Sequence, residues 1–227
     1  MIPPPENPLI MALDVSDLDR AEALARDLGS TVSSRKVGLE LFWSHGPEAV
    51  RRIARHAPVF VDAKLHDIPH TVAGAARNVA RLGAWMLTVH ALGGEAMVAA
   101  AVRGAARGAE EAGHAAPLVV AVTVLSSLSG ESLATPASLA FEAKAAGATG
   151  VVVSGEDVRS VREVVGEEFC LVVPGIRPPA GNGGDHVRVL TPGQALEAGA
   201  DYIVMGRPII ESGDPAAVAR GILAEIR

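Results

Sequence analysis

The chain is poor in several things that would have placed it quickly. Among 227 residues there is one cysteine, Cys170, so no internal disulfide framework exists. A lone cysteine of this kind is expected inside a strand, as a small hydrophobe. Aromatic residues make up 3%, although 49% of the chain is apolar, so the core must be built from Ala, Val, Leu and Ile. No apolar run reaches the ~18 residues that a membrane span requires. The residues from Met1 to Pro8 show no basic stretch leading into an apolar one, so no secretory signal is read there and the expectation is cytoplasmic. The net charge of −6 argues against a general nucleic-acid surface, while leaving room for a local basic site that takes an anionic small molecule. There is no Cys/His cluster and no H-E-x-x-H, so no metal is expected. Nor does an activated Ser or Cys nucleophile show itself.

What is present is alternation. Short apolar runs recur: Leu9 to Leu13, Arg35 to Leu39, Val59 onward, Trp85 to Val89, Leu118 to Thr123, Gly150 to Val153, Phe169 to Val173 and Tyr202 to Met205. Amphipathic segments fall between them, with Pro, Asp or Thr near their starts and Gly29, Gly83, Gly113 and Gly147 as stops. Eight strands, each followed by a helix, in 227 residues predict an α/β fold: a (β/α)8 TIM barrel, single domain over 1–227. The competing doubly wound open sheet lacks support, because no G-x-G-x-x-G follows the first strand.

The chemistry concentrates after Val59-Phe-Val61. This buried-type strand turns abruptly polar at Asp62 and Lys64, which are two apart and so share a face of an extended chain. Asp67 follows, and with Pro69 near the first turn it reads as a helix N-cap. Two carboxylates are thus expected to flank one ammonium. Unpaired charge emerging from a core strand is very costly, so three alternating charges point to a functional cluster rather than to a chance salt bridge.

Other polar residues take matching places at strand ends, where such barrels carry their sites: Asp14, Lys36, His90, Ser126 and Arg207. The loops after strands seven and eight bind phosphate in many barrels. Here they read Pro174-Gly-Ile-Arg177 and Gly206-Arg207, combining close backbone approach with paired guanidinium donors. The connection from Pro174 to Leu190 is long and Gly/Pro-rich, which suits a lid.

Taken together these motifs resemble one family. Asp62-Ala-Lys64-Leu-His-Asp67-Ile-Pro-His-Thr71 is similar to the D-x-K-x-x-D-I-P-x-T signature of the orotidine 5′-phosphate decarboxylases. Asp14, Lys36-Val-Gly38, Val122 to Ser126, Pro174 to Pro178, Gly184-Asp185, Arg188 to Pro192 and Ile203 to Pro208 follow in the family's order. The resemblance implies a homodimeric barrel that converts orotidine 5′-phosphate to UMP and carbon dioxide without a cofactor. It implies Lys64 as proton donor to C6, Asp62 beside the substrate carboxylate, and Lys36 and Asp14 on the ribose and in the charge network. It further implies Ser126 on the base, Pro174, Arg177, Gly206 and Arg207 around the phosphate, and Asp67 and Thr71 reaching into the partner's site. His186 stands where the family often has glutamine, so its lid contact differs in detail. Related phosphate-sugar barrels share D-x-K-x-x-D but need magnesium; the Ile68-Pro69-x-Thr71 continuation and the Arg177 loop argue against that reading.

Overall fold

Most strands are short runs rich in β-branched and aliphatic residues, and Gly38, Pro174 and Gly206 mark the ends of the second, seventh and eighth. A computed structural model of the protein describes residues 7–124, 134–178 and 190–226. In order, the chain forms β1 (Leu9–Ala12), α1 (Leu18–Asp27), β2 (Ser34–Val37), α2 (Leu39–His45), α3 (Pro47–Ala54), β3 (Val59–Leu65) and α4 (Pro69–Arg81). It continues through β4 (Met86–His90), α5 (Gly94–Ala112), β5 (Leu118–Val122), α6 (Pro136–Ala145), β6 (Gly150–Val152) and α7 (Val158–Val165). It closes with β7 (Cys170–Pro174), α8 (Pro192–Glu197), β8 (Tyr202–Met205), α9 (Arg207–Ile210) and α10 (Pro215–Glu225). All eight strands are parallel, and β8 pairs with β1, so the sheet is a closed (β/α)8 barrel, as the alternation predicts.

Register decides which side chains point inward. Ile10, Phe60, Met86, Val120, Cys170, Val172, Tyr202 and Val204 fill the barrel interior. Alternate strand residues such as Met11, Val61, Leu87, Ala121 and Ile203 pack outward against the helices. The buried Cys170 takes the interior place expected of it.

Local sequence accounts for the element ends. Asp17 caps α1 by accepting from Arg20 N–H, Thr191 and Gln194 form a reciprocal capping box on α8, and Gly113 closes α5 in the left-handed region at φ 70°. The fully buried Arg35 guanidinium donates to the carbonyls of Ala25, Gly29 and Val32, tying β2 to the end of α1. Burial pushes its pKa down to about 10, so it remains a cation at neutral pH.

Three readings change. The second strand stops at Val37, and Leu39–His45 is a helix. A one-turn helix, Arg207–Ile210, follows β8. Asp67 does not cap α4: Ile68 occupies the cap position with no side-chain bond, and Asp67 Oδ1 accepts the neighbouring Ile68 N–H at 2.6 Å.

Candidate active site

The C-terminal ends of β1, β2 and β3 bring four charges into one row. Lys36 Nζ lies 3.0 Å from Asp14 Oδ1 and 3.4 Å from Asp62 Oδ2. Lys64 Nζ lies 2.7 Å from the same Asp62 oxygen. The order is Asp14, Lys36, Asp62, Lys64, with signs alternating and the two middle side chains nearly enclosed. Burial drives the Asp62 carboxyl upward, but Lys36, Lys64 and the hydrogen bonds from Lys64 and Thr88 outweigh it. Asp62 therefore ionises below the usual carboxylate range.

The row requires an irregular β3. Between Val61 and Leu65 the pairing with β4 shifts: four residues of β3 advance against two of β4. Lys64 sits in that bulge at φ 49°, the one non-glycine residue with positive φ among the described residues. Thr88, on an inward position of β4, fills the gap: its Oγ1 accepts from Lys64 N–H at 2.8 Å and donates to Asp62 Oδ1 at 3.0 Å.

Glycines make room for the charges. A β-carbon at Gly38 would stand 2.9 Å from Lys36 Nζ and 3.1 Å from Asp14 Oδ1. One at Gly206 would come within 3.3 Å of both the Ala12 β-carbon and Asp14 Oδ2.

Two adjoining cavities meet at the row. The larger, about 450 Å³, is the more polar: Asp14, Lys36, Gly175, Arg177, Gly206 and Arg207 are among its walls. The smaller, about 200 Å³, is a largely apolar slot with Lys64 and Asp62 at one side. Val122, Val152, Val172 and Val204, one from each of β5 to β8, line it. Lys36, Asp62, Pro174 and Val204 border both spaces. The apolar lining of the slot suits a weakly polar group, and the arginine end of the larger chamber suits an anionic one. Gly175, at φ 77°, turns the chain after β7 toward that chamber, and Arg177 N–H donates to Leu190 O across the loop's base.

The predicted residues thus divide. Asp14, Lys36, Asp62, Lys64, Pro174, Arg177, Gly206 and Arg207 all border these spaces. Asp67 and Thr71 do not join them; both are exposed, and the second partner of the central ion pair is Lys36 rather than Asp67. Among the described residues a single acid, Asp62, grips Lys64, because the bulge turns Lys64 back onto it while Asp67 lies past the strand end. Ser126, His186 and most of the expected lid lie outside the described residues. His90 ends β4 half-buried, its ring 5.4 Å from that of His66 and its Nδ1 enclosed without a hydrogen-bond partner among the described residues. Burial, then His66 and Lys64, push its imidazole below the ordinary range.

Sequence reading missed Thr88 and did not assign Gly38 a task. Thr88 looks like an ordinary β-former; its signal is a hydroxyl at an inward position between Met86 and His90. Gly38 has its signal in spacing, two residues past an inward lysine.

Fold and site together define a (β/α)8 barrel whose polar groups gather at the C-terminal ends of its strands. The family model described as orotidine 5′-phosphate decarboxylase / HUMPS matches residues 7–222. Proteins named orotidine 5′-phosphate decarboxylase from Moorella thermoacetica and Anaeromyxobacter sp. (strain K) are 46% and 49% identical to this chain, over 96% and 97% of its length and 91% and 98% of theirs. A crystal structure of orotidine 5′-phosphate decarboxylase from Lactobacillus acidophilus superposes with a TM-score of 0.83 at 36% identity, covering 98% of this chain and all of that one. The chain belongs to the orotidine 5′-phosphate decarboxylase / HUMPS family.

Proposed function

We propose that this protein decarboxylates orotidine 5′-phosphate to UMP and carbon dioxide without a cofactor, as the last step of pyrimidine nucleotide synthesis in the cytoplasm. The chain 1–227 would act as a single decarboxylase domain. The observation that carries this reading is the ion row set between a valine-lined slot and an arginine-rimmed chamber. The names of the relatives support the same activity. In this reading the pyrimidine lies in the slot and the phosphate lies near Arg177, Gly206 and Arg207.

Breaking the bond between C6 and the carboxylate leaves an electron pair in the ring plane, where no conjugation accepts it. The Lys64 ammonium stands at that side of the slot as a fixed countercharge. As carbon dioxide departs, a proton passes from Lys64 Nζ to C6, and the amine is reprotonated from solvent after UMP leaves. Asp62 holds Lys64 in place through their ion pair, and Lys36 helps to keep Asp62 ionised. Asp14 and Lys36 face the chamber where a ribose would lie. Phosphate contacts remote from C6 supply binding energy that positions the ring. Ser126 and His186 complete the reading as base and lid contacts.

A homodimer with Asp67 and Thr71 facing the partner's site belongs to the same proposal. Large apolar side chains lie exposed after three consecutive strands: Leu39 and Trp43 after β2, Ile68 after β3 and Leu92 after β4. Trp43 is 80% exposed, far more than a tryptophan in water favours, and the two helix residues are four apart on one face. No nucleic acid or membrane partner is proposed; no described helix is long and apolar enough to cross a bilayer.

The test is an absorbance assay of the purified chain with orotidine 5′-phosphate, with and without EDTA. Conversion to UMP at an unchanged rate in chelator is expected. Absence of turnover rejects the activity, and turnover abolished by EDTA rejects the metal-free reading in favour of a magnesium-dependent member of the family.

A further inference from the structure

Lys64 holds a backbone conformation that L-residues avoid, and such a conformation persists only where the surroundings enforce it. The bulge around it has given up regular pairing with β4 between Val61 and Leu65. Thr88 stands in that gap, fully buried. Its bonding is fixed by chemistry: Lys64 N–H can only donate and an ionised Asp62 can only accept, so the single hydroxyl must accept from one and donate to the other. With Asp62 Oδ1 engaged by Thr88, the other oxygen, Oδ2, is the one turned to both Lys36 and Lys64.

We propose that Thr88 is a positioning residue for the reaction: its hydroxyl pins the left-handed Lys64 backbone and sets the Asp62 carboxylate, so that one ammonium is aimed into the slot. A methyl or a packed surface could not do this, since both bonds run through Oγ1. The kinetic arm of this inference rests on the proposed decarboxylase activity; the geometric arm does not. The hydroxyl bond is also among the influences that keep Asp62 ionised, after the two lysines.

The experiment compares Thr88→Val, which keeps the shape and removes the hydroxyl, with Thr88→Ser, which keeps the hydroxyl. In a crystal structure of Thr88→Val, Lys64 is expected to leave the left-handed region or to lose its contact with Asp62. With orotidine 5′-phosphate, kcat of Thr88→Val should fall about 10- to 100-fold while KM stays within about threefold, as expected for loss of a hydrogen bond to a charged group that acts in the transition state. The acid limb of its kcat profile should move to higher pH. Thr88→Ser should recover most of kcat. A Thr88→Val structure with Lys64 and Asp62 unmoved overturns the inference. So does an unchanged kcat, or an equal loss in Thr88→Ser. If Thr88→Val fails to fold, Thr88→Ala against Thr88→Ser makes the same comparison. A wild-type protein inactive on orotidine 5′-phosphate rejects the activity, and the crystallographic comparison still decides the role of Thr88.

Discussion

A carboxylate as enclosed as that of Asp62 stays ionised only with cations against it, and each cation has its own consequence. Lys64 borders the slot alone, whereas Lys36 borders both cavities. Lys64→Ala should lower turnover of orotidine 5′-phosphate by at least about a thousandfold, because it removes both the countercharge and the proton. Lys36 still pairs Asp62 in that variant, so the circular dichroism spectrum and cooperative unfolding should persist. Near-normal product formation would remove Lys64 from its proposed part. Gly38 tests the other end of the row. Gly38→Ala puts a methyl against Lys36 Nζ and Asp14 Oδ1, and should reduce kcat/KM about tenfold or more by prising them apart. Unaltered kinetics would show that the row yields without consequence. His90 gives a pH effect of definite sign. Its folded pKa is depressed, so folding favours the neutral ring, and stability is lost as pH falls below the unfolded value of roughly 6.5 toward the lower folded value. His90→Asn should flatten stability across that window in urea titrations at several pH values; an unchanged slope would exclude His90 as its source. Asp14, Lys36, Asp62 and Lys64 were legible because each interrupts or ends an apolar run. The position of Asp67 was not, because linear spacing does not reveal a bulge that turns one lysine back toward the strand and leaves the next acid outside.

Proline and glycine punctuation made most elements readable. Pro47, Pro69, Pro136, Pro192 and Pro215 each open a helix, and Thr191 announces α8 as its N-cap. Short elements escaped: α2 has seven residues and α9 four, too few to display a helical period beside their neighbours. The alanine-rich α5 was legible as a helix but not as a contact surface. Gly104 and Gly108, four apart, let it approach α4 closely; β-carbons there would lie 2.2 Å from Ala73 O and 2.1 Å from Arg77 O. Backbone atoms have little freedom to withdraw, so Gly104→Ala should destabilise the fold by roughly 1–3 kcal/mol, read from the urea midpoint. Because α4 begins just beyond Asp67 and carries Thr71 in its first turn, the variant also displaces the segment proposed to face the partner. A midpoint equal to that of the parent would mean that the two helices separate freely.

At the scale of the molecule, closure of the barrel leaves no sheet edge, so association must use the loops and helices that border it. If Asp67 acts across a dimer, a hybrid of Lys64→Ala and Asp67→Ala subunits contains one site with both residues intact. Random mixing of the two variants should then recover about a quarter of wild-type activity, from a hybrid share of about half with one good site each. Sedimentation and mass spectrometry verify the hybrids; verified hybrids as inactive as their parents would exclude a shared site. The barrel as a whole was legible because its period of strand and helix repeats eight times. Its inner division of labour was not, because inward residues of distant strands become neighbours only once the register is set. That division has an evolutionary consequence. The reactive ions come from β1, β2 and β3, whereas four valines from β5 to β8 mould the slot. A descendant could reshape that mould for a different guest, one methyl at a time, and inherit the proton-handling apparatus untouched.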